Sequence, residues 1–136
     1  MAAFRFELVS PQKLLFTGDV EQVDVPGAEG DFGVLARHAP LVALLRPGIL
    51  TVHAPEGEQK FVVLGGFAEF SGEQLTVLGA VAMHIDDCDI TSIGMKMEDL
   101  QRRIEKTDPG AALDRLIRQL DHYKALNEHL TGTAMH

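Results

Sequence analysis

The segment HIDDCDITSIGMKMEDL, residues 84–100, separates two ways of spacing apolar residues, and the fold is read from that separation. After Asp89, the residues Ile90, Ile93, Met97, Leu100 and Ile104 recur every three or four positions. They form one stripe of a helix, with Lys96, Glu98, Asp99, Arg102 and Arg103 on the remaining surface. Up to about His84 the period is two. Phe4, Phe6 and Leu8 alternate with Arg5, Glu7 and Val9, and Val20, Val23 and Val25 are interleaved with Glu21, Gln22 and Asp24. Further strands are expected at Ile49–His53, Lys60–Leu64, Phe67–Phe70 and Gln74–Leu78. Breaks fall at Ser10-Pro11, Pro26-Gly27, Pro47-Gly48, Pro55-Glu56-Gly57, Gly65-Gly66 and Ser71-Gly72. Short strands at this spacing predict a sandwich or flattened barrel.

Beyond the first helix, Thr107-Asp108-Pro109-Gly110 reads as a stop followed by a new start. Asp108 can accept from the free amides of a second helix, and Pro109 suits its first position. Leu113, Leu116, Ile117, Leu120, Tyr123 and Leu130 carry the second stripe. Two amphipathic helices joined by a short turn can shield their apolar faces only against each other or against a sheet, so an antiparallel hairpin is expected. The fold class is therefore α+β in two parts: an all-β sandwich or flattened barrel over residues 1–85 and a two-helix hairpin over residues 86–136. Gly94, inside the first helix, costs about 1 kcal/mol relative to alanine.

Composition narrows the function classes. A chain of 136 residues with 46% hydrophobic content is one ordinary domain or two small ones. The longest apolar or glycine run, Phe61–Ala68, is eight residues, against the roughly 20 a membrane-spanning helix needs. Arg5 and Glu7 interrupt the stretch where a signal peptide would be continuous and apolar. Cys88 is the single cysteine, so no intrachain disulfide forms. Twelve basic against twenty acidic residues give a net charge of -8, which repels phosphate backbones and anionic lipid. Neither nucleic-acid binding nor lipid insertion is expected.

Candidate chemistry is sparse. Gly27-Ala28-Glu29-Gly30-Asp31-Phe32-Gly33 is rich in glycine but lacks the lysine or following helix of a phosphate cradle. The loop reads as backbone geometry, with Glu29 and Asp31 pointing outward, where a partner's arginines could meet them. His84, Asp86, Asp87 and Cys88 match no standard zinc spacing. His122 and His129, seven apart, lack a third ligand. No Gly-x-Ser-x-Gly turn displays a nucleophile. No metal, no cofactor and no catalytic residue are expected in this chain.

Taken together, several blocks closely resemble the epsilon subunit of the bacterial F-type ATP synthase. They are Val9-Ser10-Pro11, Leu15-Phe16-Thr17-Gly18, Pro26 to Leu35, His38-Ala39-Pro40-Leu41, Arg46-Pro47-Gly48 and Gly65-Gly66-Phe67-Ala68-Glu69, in the same order and spacing over about the first 80 residues. The resemblance implies a β-sandwich followed by a helical hairpin, in a non-catalytic central-stalk subunit of a proton-translocating complex. Such a subunit binds the gamma subunit, seats on the c-ring, and so couples ring rotation to the catalytic head. It implies a peripheral location on the cytoplasmic face of the bacterial plasma membrane. It also implies Glu29, Asp31 and His38 as ring contacts and Ser10 as a gamma contact.

The likeness thins after Met83. A Leu- or Ile-Asp-x-x-Arg-Ala motif, associated in some family members with ATP binding, corresponds here to Cys88-Asp89-Ile90-Thr91-Ser92-Ile93. Asp89 is kept but Ser92 stands where the arginine would be, so no nucleotide site is expected. In the same members the hairpin can extend toward the alpha and beta subunits and stop ATP hydrolysis through basic helix residues. Arg102, Arg103, Arg115 and Arg118 are the candidates here. The plainer reading makes them a solvated face with Glu98, Asp99, Asp114 and Asp121.

Overall fold

The computed structural model describes residues 2–135, with side chains described through residue 132. Eight strands come first: β1 (Phe4–Val9), β2 (Leu14–Val20), β3 (Gln22–Val25), β4 (Phe32–Leu35), β5 (Leu41–Ala54), β6 (Gly57–Phe70), β7 (Gln74–Gly79) and β8 (Ala82–His84). They pair in the order β2-β1-β7-β6-β5-β3-β4, with β8 against β6. The β1–β7 pair is parallel and the other pairs are antiparallel.

Two layers arise because the long β5–β6 hairpin is bent and serves both. Leu41–Leu45 pairs with Gly66–Phe70, whose other side pairs with β7, leading on to β1 and β2. Pro47–Ala54 pairs with Gly57–Leu64, and this half continues to β3 and β4 on one side and β8 on the other. At the bend Pro47 has no amide to donate, which suits a position where the ladder is interrupted. On β6 at the same bend, Gly66, the partner of Leu45, has φ of 121°, and a Cβ there would lie 2.0 Å from the Leu78 carbonyl oxygen. Only glycine lets the two backbones approach this closely.

Phe6, Leu8, Ala68, Phe70, Leu75 and Val77 of one layer meet Val23, Val25, Val34, Leu50, Val52 and Val63 of the other in a single buried core. Burying each of the larger side chains contributes about 1.5–3 kcal/mol. Phe16 links the layers, with ring centroids 5.5 Å from Phe6 and 6.3 Å from Phe61.

The sequence-level expectation divided these strands differently. Lys60–Leu64 and Phe67–Phe70 are halves of one strand, because Gly65-Gly66 bends the chain without ending it. The strand expected at Ile49–His53 runs back through Pro47 to Leu41. Val20 closes β2 while Val23 and Val25 belong to β3; between them, the Glu21 amide donates to the His53 carbonyl at 2.8 Å.

A short 3₁₀ turn, Ile85–Asp87, precedes the helices α1 (Ile90–Glu105) and α2 (Ala111–Met135). The chain divides into two compact units between Cys88 and Asp89. Asp89 caps α1, its carboxylate accepting from the Thr91 amide at 2.9 Å. Arg102 and Arg103 in the last turn suit the negative end of the helix dipole. The helices α1 and α2 pack on each other as the expected hairpin. The second helix starts at Ala111 rather than Pro109, leaving Asp108 outside it; the Asp114 amide donates to the Gly110 carbonyl at 3.0 Å. Among the described residues, no helix is long and apolar enough to cross a membrane.

Two glycines should respond oppositely to alanine. Gly94 faces open space in α1, so G94A should stabilise the hairpin by about 1 kcal/mol. G66A should cost at least about 2 kcal/mol through strain and collision. Denaturant unfolding of the full chain checks both, and a neutral G66A would contradict the bend described above.

Candidate functional site

The glycine-rich loop is a fixed turn laid across β5. The Gly30 amide closes it on the Gly27 carbonyl at 3.1 Å, the Ala28 amide donates to the Leu44 carbonyl at 2.8 Å, and the Arg46 amide donates to the Pro26 carbonyl at 3.0 Å. Gly27 admits no side chain, since a Cβ would stand 2.5 Å from the Gly30 oxygen. The Arg46 guanidinium reaches over the loop, donating through Nη1 to the Gly27 carbonyl at 2.7 Å and pairing through Nη2 with Asp31. Asp31, expected to point at a partner, is therefore already paired within the chain. Glu29 is exposed at the tip. An open groove of about 520 Å³ lies between this loop and Val42, Ala43 and Leu44.

Val42 and Leu44 are 71% and 70% exposed, far more than aliphatic strand residues usually are. They are not isolated. Leu44 pairs with Phe67, Phe67 with Leu78, Leu78 with Val9 and Val9 with Leu14. Partners directly opposite in adjacent strands point to the same face. The result is an apolar row across five strands, about 19 Å long at the usual strand spacing. All its members are exposed except Val9, which is half-buried. The next row, Val42, Glu69, Thr76 and Glu7, is mostly polar, so the row is a stripe at one end of the face.

Ser10 lies at the opposite end of the stripe from the glycine loop. Its hydroxyl and its amide both donate to the Lys13 carbonyl in the turn from β1 to β2. With Val9, Pro11, Phe67 and Leu78 it lines a second groove of about 510 Å³. Two sites that the sequence placed far apart thus terminate one continuous surface. His38 is not part of it. It sits at the far end of β4 from the loop, exposed, with Nδ1 2.8 Å from the Ala39 carbonyl and its ring 6.2 Å from that of Phe70.

The remaining polar groups do not converge. His53 is held between Asp24, 2.8 Å from Nε2, and Glu58, 3.6 Å from Nδ1. The carboxylates face opposite edges of the ring, so they cannot share a metal ion with it. Among the described residues, no group of three or more His, Cys, Asp or Glu could hold a metal, and no polar or charged side chain is buried. His84 accepts from the Asp86 amide at 3.1 Å and caps the short turn. Asp89 is occupied by its cap, and the Ser92 hydroxyl donates to the Asp89 carbonyl at 2.6 Å. Arg102 and Arg103 each lie 3.9 Å from Asp99. Arg103 and Arg115 line an open groove with Lys106, while Arg118 is exposed outside it.

Alternation of apolar and polar residues does not reveal the stripe. The signal was available in Leu41-Val42-Ala43-Leu44-Leu45, a strand half that is apolar on both faces.

The two-layer sandwich thus carries an uncovered apolar stripe, a kind of surface that is uncommon on monomeric proteins. Comparison with known proteins is specific. The family model described as ATP synthase, Delta/Epsilon chain, beta-sandwich domain matches residues 3–85. The ATP synthase epsilon chains of Rhodopseudomonas palustris strain BisA53 and Afipia carboxidovorans are 54% and 51% identical over 136 residues, the full length of both chains in each case. The chain belongs to the ATP synthase epsilon-chain family, whose members are non-catalytic subunits of that complex. Its fold is also that of a chain in the Euglena gracilis mitochondrial ATP synthase, with a TM-score of 0.67 and 22% identity, covering 100% of this chain and 83% of that one. A Tetrahymena thermophila mitochondrial ATP synthase structure of the central stalk and c-ring matches with a TM-score of 0.53 and 12% identity, covering 62% and 68%.

Asp24 provides a pH handle on the sandwich. Partial burial pushes its carboxyl up, but hydrogen bonds from His53 and Gln22, together with the His53 charge, outweigh this and hold it below the ordinary carboxylate value. A group lowered on folding stabilises the protein above its unfolded pKa, about 3.9, and loses that contribution as pH falls through the folded value. D24N should therefore be less stable than the parent at pH 7, with the difference shrinking as the pH is lowered below about 3.9. Paired urea midpoints across that range test it, and a difference independent of pH would contradict it.

Proposed function

We propose that this chain is a non-catalytic rotor subunit of the central stalk, coupling c-ring rotation to the catalytic head through the gamma subunit. The observation that carries the reading is the apolar stripe running from the Ser10 groove to the glycine loop. Such a surface left to water is unfavourable and is the kind of patch a partner covers. Its length suits a shaft laid along one sheet, so the stripe and Ser10 are assigned to gamma. The exposed loop tip with Glu29 is assigned to a basic segment of the c-ring, and His38, at the far end of β4 from that tip, is kept as a separate candidate ring contact. Two layers of one folded sheet sharing a core give a body that resists bending, which torque transmission needs. The location follows from the assembly: peripheral, at the cytoplasmic face of the bacterial plasma membrane, held by partners and not by insertion.

Val42 and Leu44 are exposed, so the double variant V42D/L44D should fold normally. It should lose at least tenfold in affinity for an α-β-γ catalytic complex, measured by co-purification and titration. E29K should leave that association intact and weaken capture by purified c-ring. Undiminished binding by V42D/L44D would refute the stripe assignment.

A second reading, that the hairpin brakes ATP hydrolysis through the alpha and beta subunits, is favoured by Arg103, Lys106 and Arg115 lining one groove. Under it, R103E/R115E in the full chain should raise the ATP hydrolysis rate of the assembled complex severalfold. Equal rates would refute the brake.

A further inference from the structure

We propose that Arg46 is the positioning residue of the ring-facing loop: its guanidinium locks the two limbs of the Gly27–Asp31 turn together and neutralises Asp31, leaving Glu29 as the loop's one free carboxylate. The inference rests on the docking reading above and deepens it by separating the acid that meets the partner from the acid that builds the loop.

The geometry is specific to a guanidinium. Arg46 leaves β5 at the bend, and its side chain is only 24% exposed although it is charged. Nη1 reaches the Gly27 carbonyl at the entry limb, and Nη2 reaches the Asp31 carboxylate at the exit limb. A planar fork with donors at fixed separation can hold both at once; an ammonium on a flexible stem satisfies them less well.

The loop needs such a clasp. Backbone hydrogen bonds anchor its entry at Pro26 and Ala28, and pairing with β3 resumes only at Phe32. Between them Gly30, at φ 140°, is freer than any other residue type. The single turn-closing bond, Gly30 amide to Gly27 carbonyl, ends on the same oxygen that Arg46 holds. Fixing that oxygen therefore orients the turn and directs Glu29 outward. Asp31 carries 72% exposure, so its pairing adds little to global stability; its effect is on where the loop sits. Asp31 is thereby recast from a ring contact to the counter-ion of Arg46.

The test uses the full chain carrying R46M, R46K, D31N, E29Q or R46M/D31N. Amide exchange at Gly30 reports the loop, the thermal midpoint reports the fold, and binding to purified c-ring reports docking. R46M should accelerate Gly30 exchange about tenfold and weaken ring binding about five- to tenfold, with a thermal midpoint close to the parent's. R46K should restore part of both losses. D31N, at an exposed side chain, keeps the fold and should weaken binding less than E29Q, and R46M/D31N should be no worse than R46M. Additive losses in the double variant, or D31N as damaging as E29Q, would make Asp31 a contact and overturn the proposal. If E29Q weakens binding while R46M changes neither exchange nor binding, the clasp fails and the docking reading stands. If E29Q and R46M both leave binding intact while Gly30 exchange accelerates, the docking reading fails and the clasp remains only a loop fastener.

Discussion

One close approach organises the sandwich: the Gly66 backbone against the Leu78 carbonyl, where any Cβ would collide. It lets the β5–β6 hairpin bend and belong to two layers at once. Without the bend, fourteen-residue strands would extend as one flat ladder with nothing to pack against. With it, the half carrying Leu41–Leu45 turns its inner face to the core and its outer face to solvent. The same bend sets Arg46 at the junction of the layers, beside the loop it holds. Core, stripe and loop therefore all depend on the bend that Pro47 and the positive-φ pair Gly65-Gly66 permit.

The stripe illustrates how a docking surface differs from a core by topology alone. Leu44 and Leu45 are neighbours of similar size and hydrophobicity, yet one is 70% exposed and the other 7%. Alternation along a strand assigns them to opposite faces. What distinguishes the functional face is that its apolar residues fall in one cross-strand row while the adjacent row carries Glu69, Thr76 and Glu7. A partner covering the row gains apolar burial, and the polar row limits its extent and register.

Much of this architecture was legible because the period of apolar residues changes near Asp89. Both helices, and strands such as Phe4–Val9 and Gln74–Gly79, follow their patterns closely. The failures share a cause. Gly65-Gly66 and Pro47-Gly48 look like punctuation in one dimension, but tertiary pairing carries the ladder through them. β4 was obscured because it is only four residues long, and β2 because Gly18 takes the inward position paired with Phe6. Of the site, the glycine loop and Ser10 were legible only as motifs. Their junction was not, because Val9, Leu78, Phe67 and Leu44 become neighbours only through strand order. The pairing of Asp31 with Arg46 spans fifteen positions and two strands, and no local pattern announces it.

In the helical unit Asp89 holds a structural position at the start of α1. Asp89 accepts from the Thr91 amide, so its carboxylate satisfies a free donor at the start of α1 and complements the positive end of the helix dipole. That arrangement is self-sufficient. A phosphate approaching the same amides would have to displace a carboxylate already bonded there and would meet its charge, with no guanidinium at Ser92 to compensate. The Ser92 hydroxyl instead folds back onto the Asp89 carbonyl and completes the cap. An aspartate at this position is thus accounted for by helix initiation.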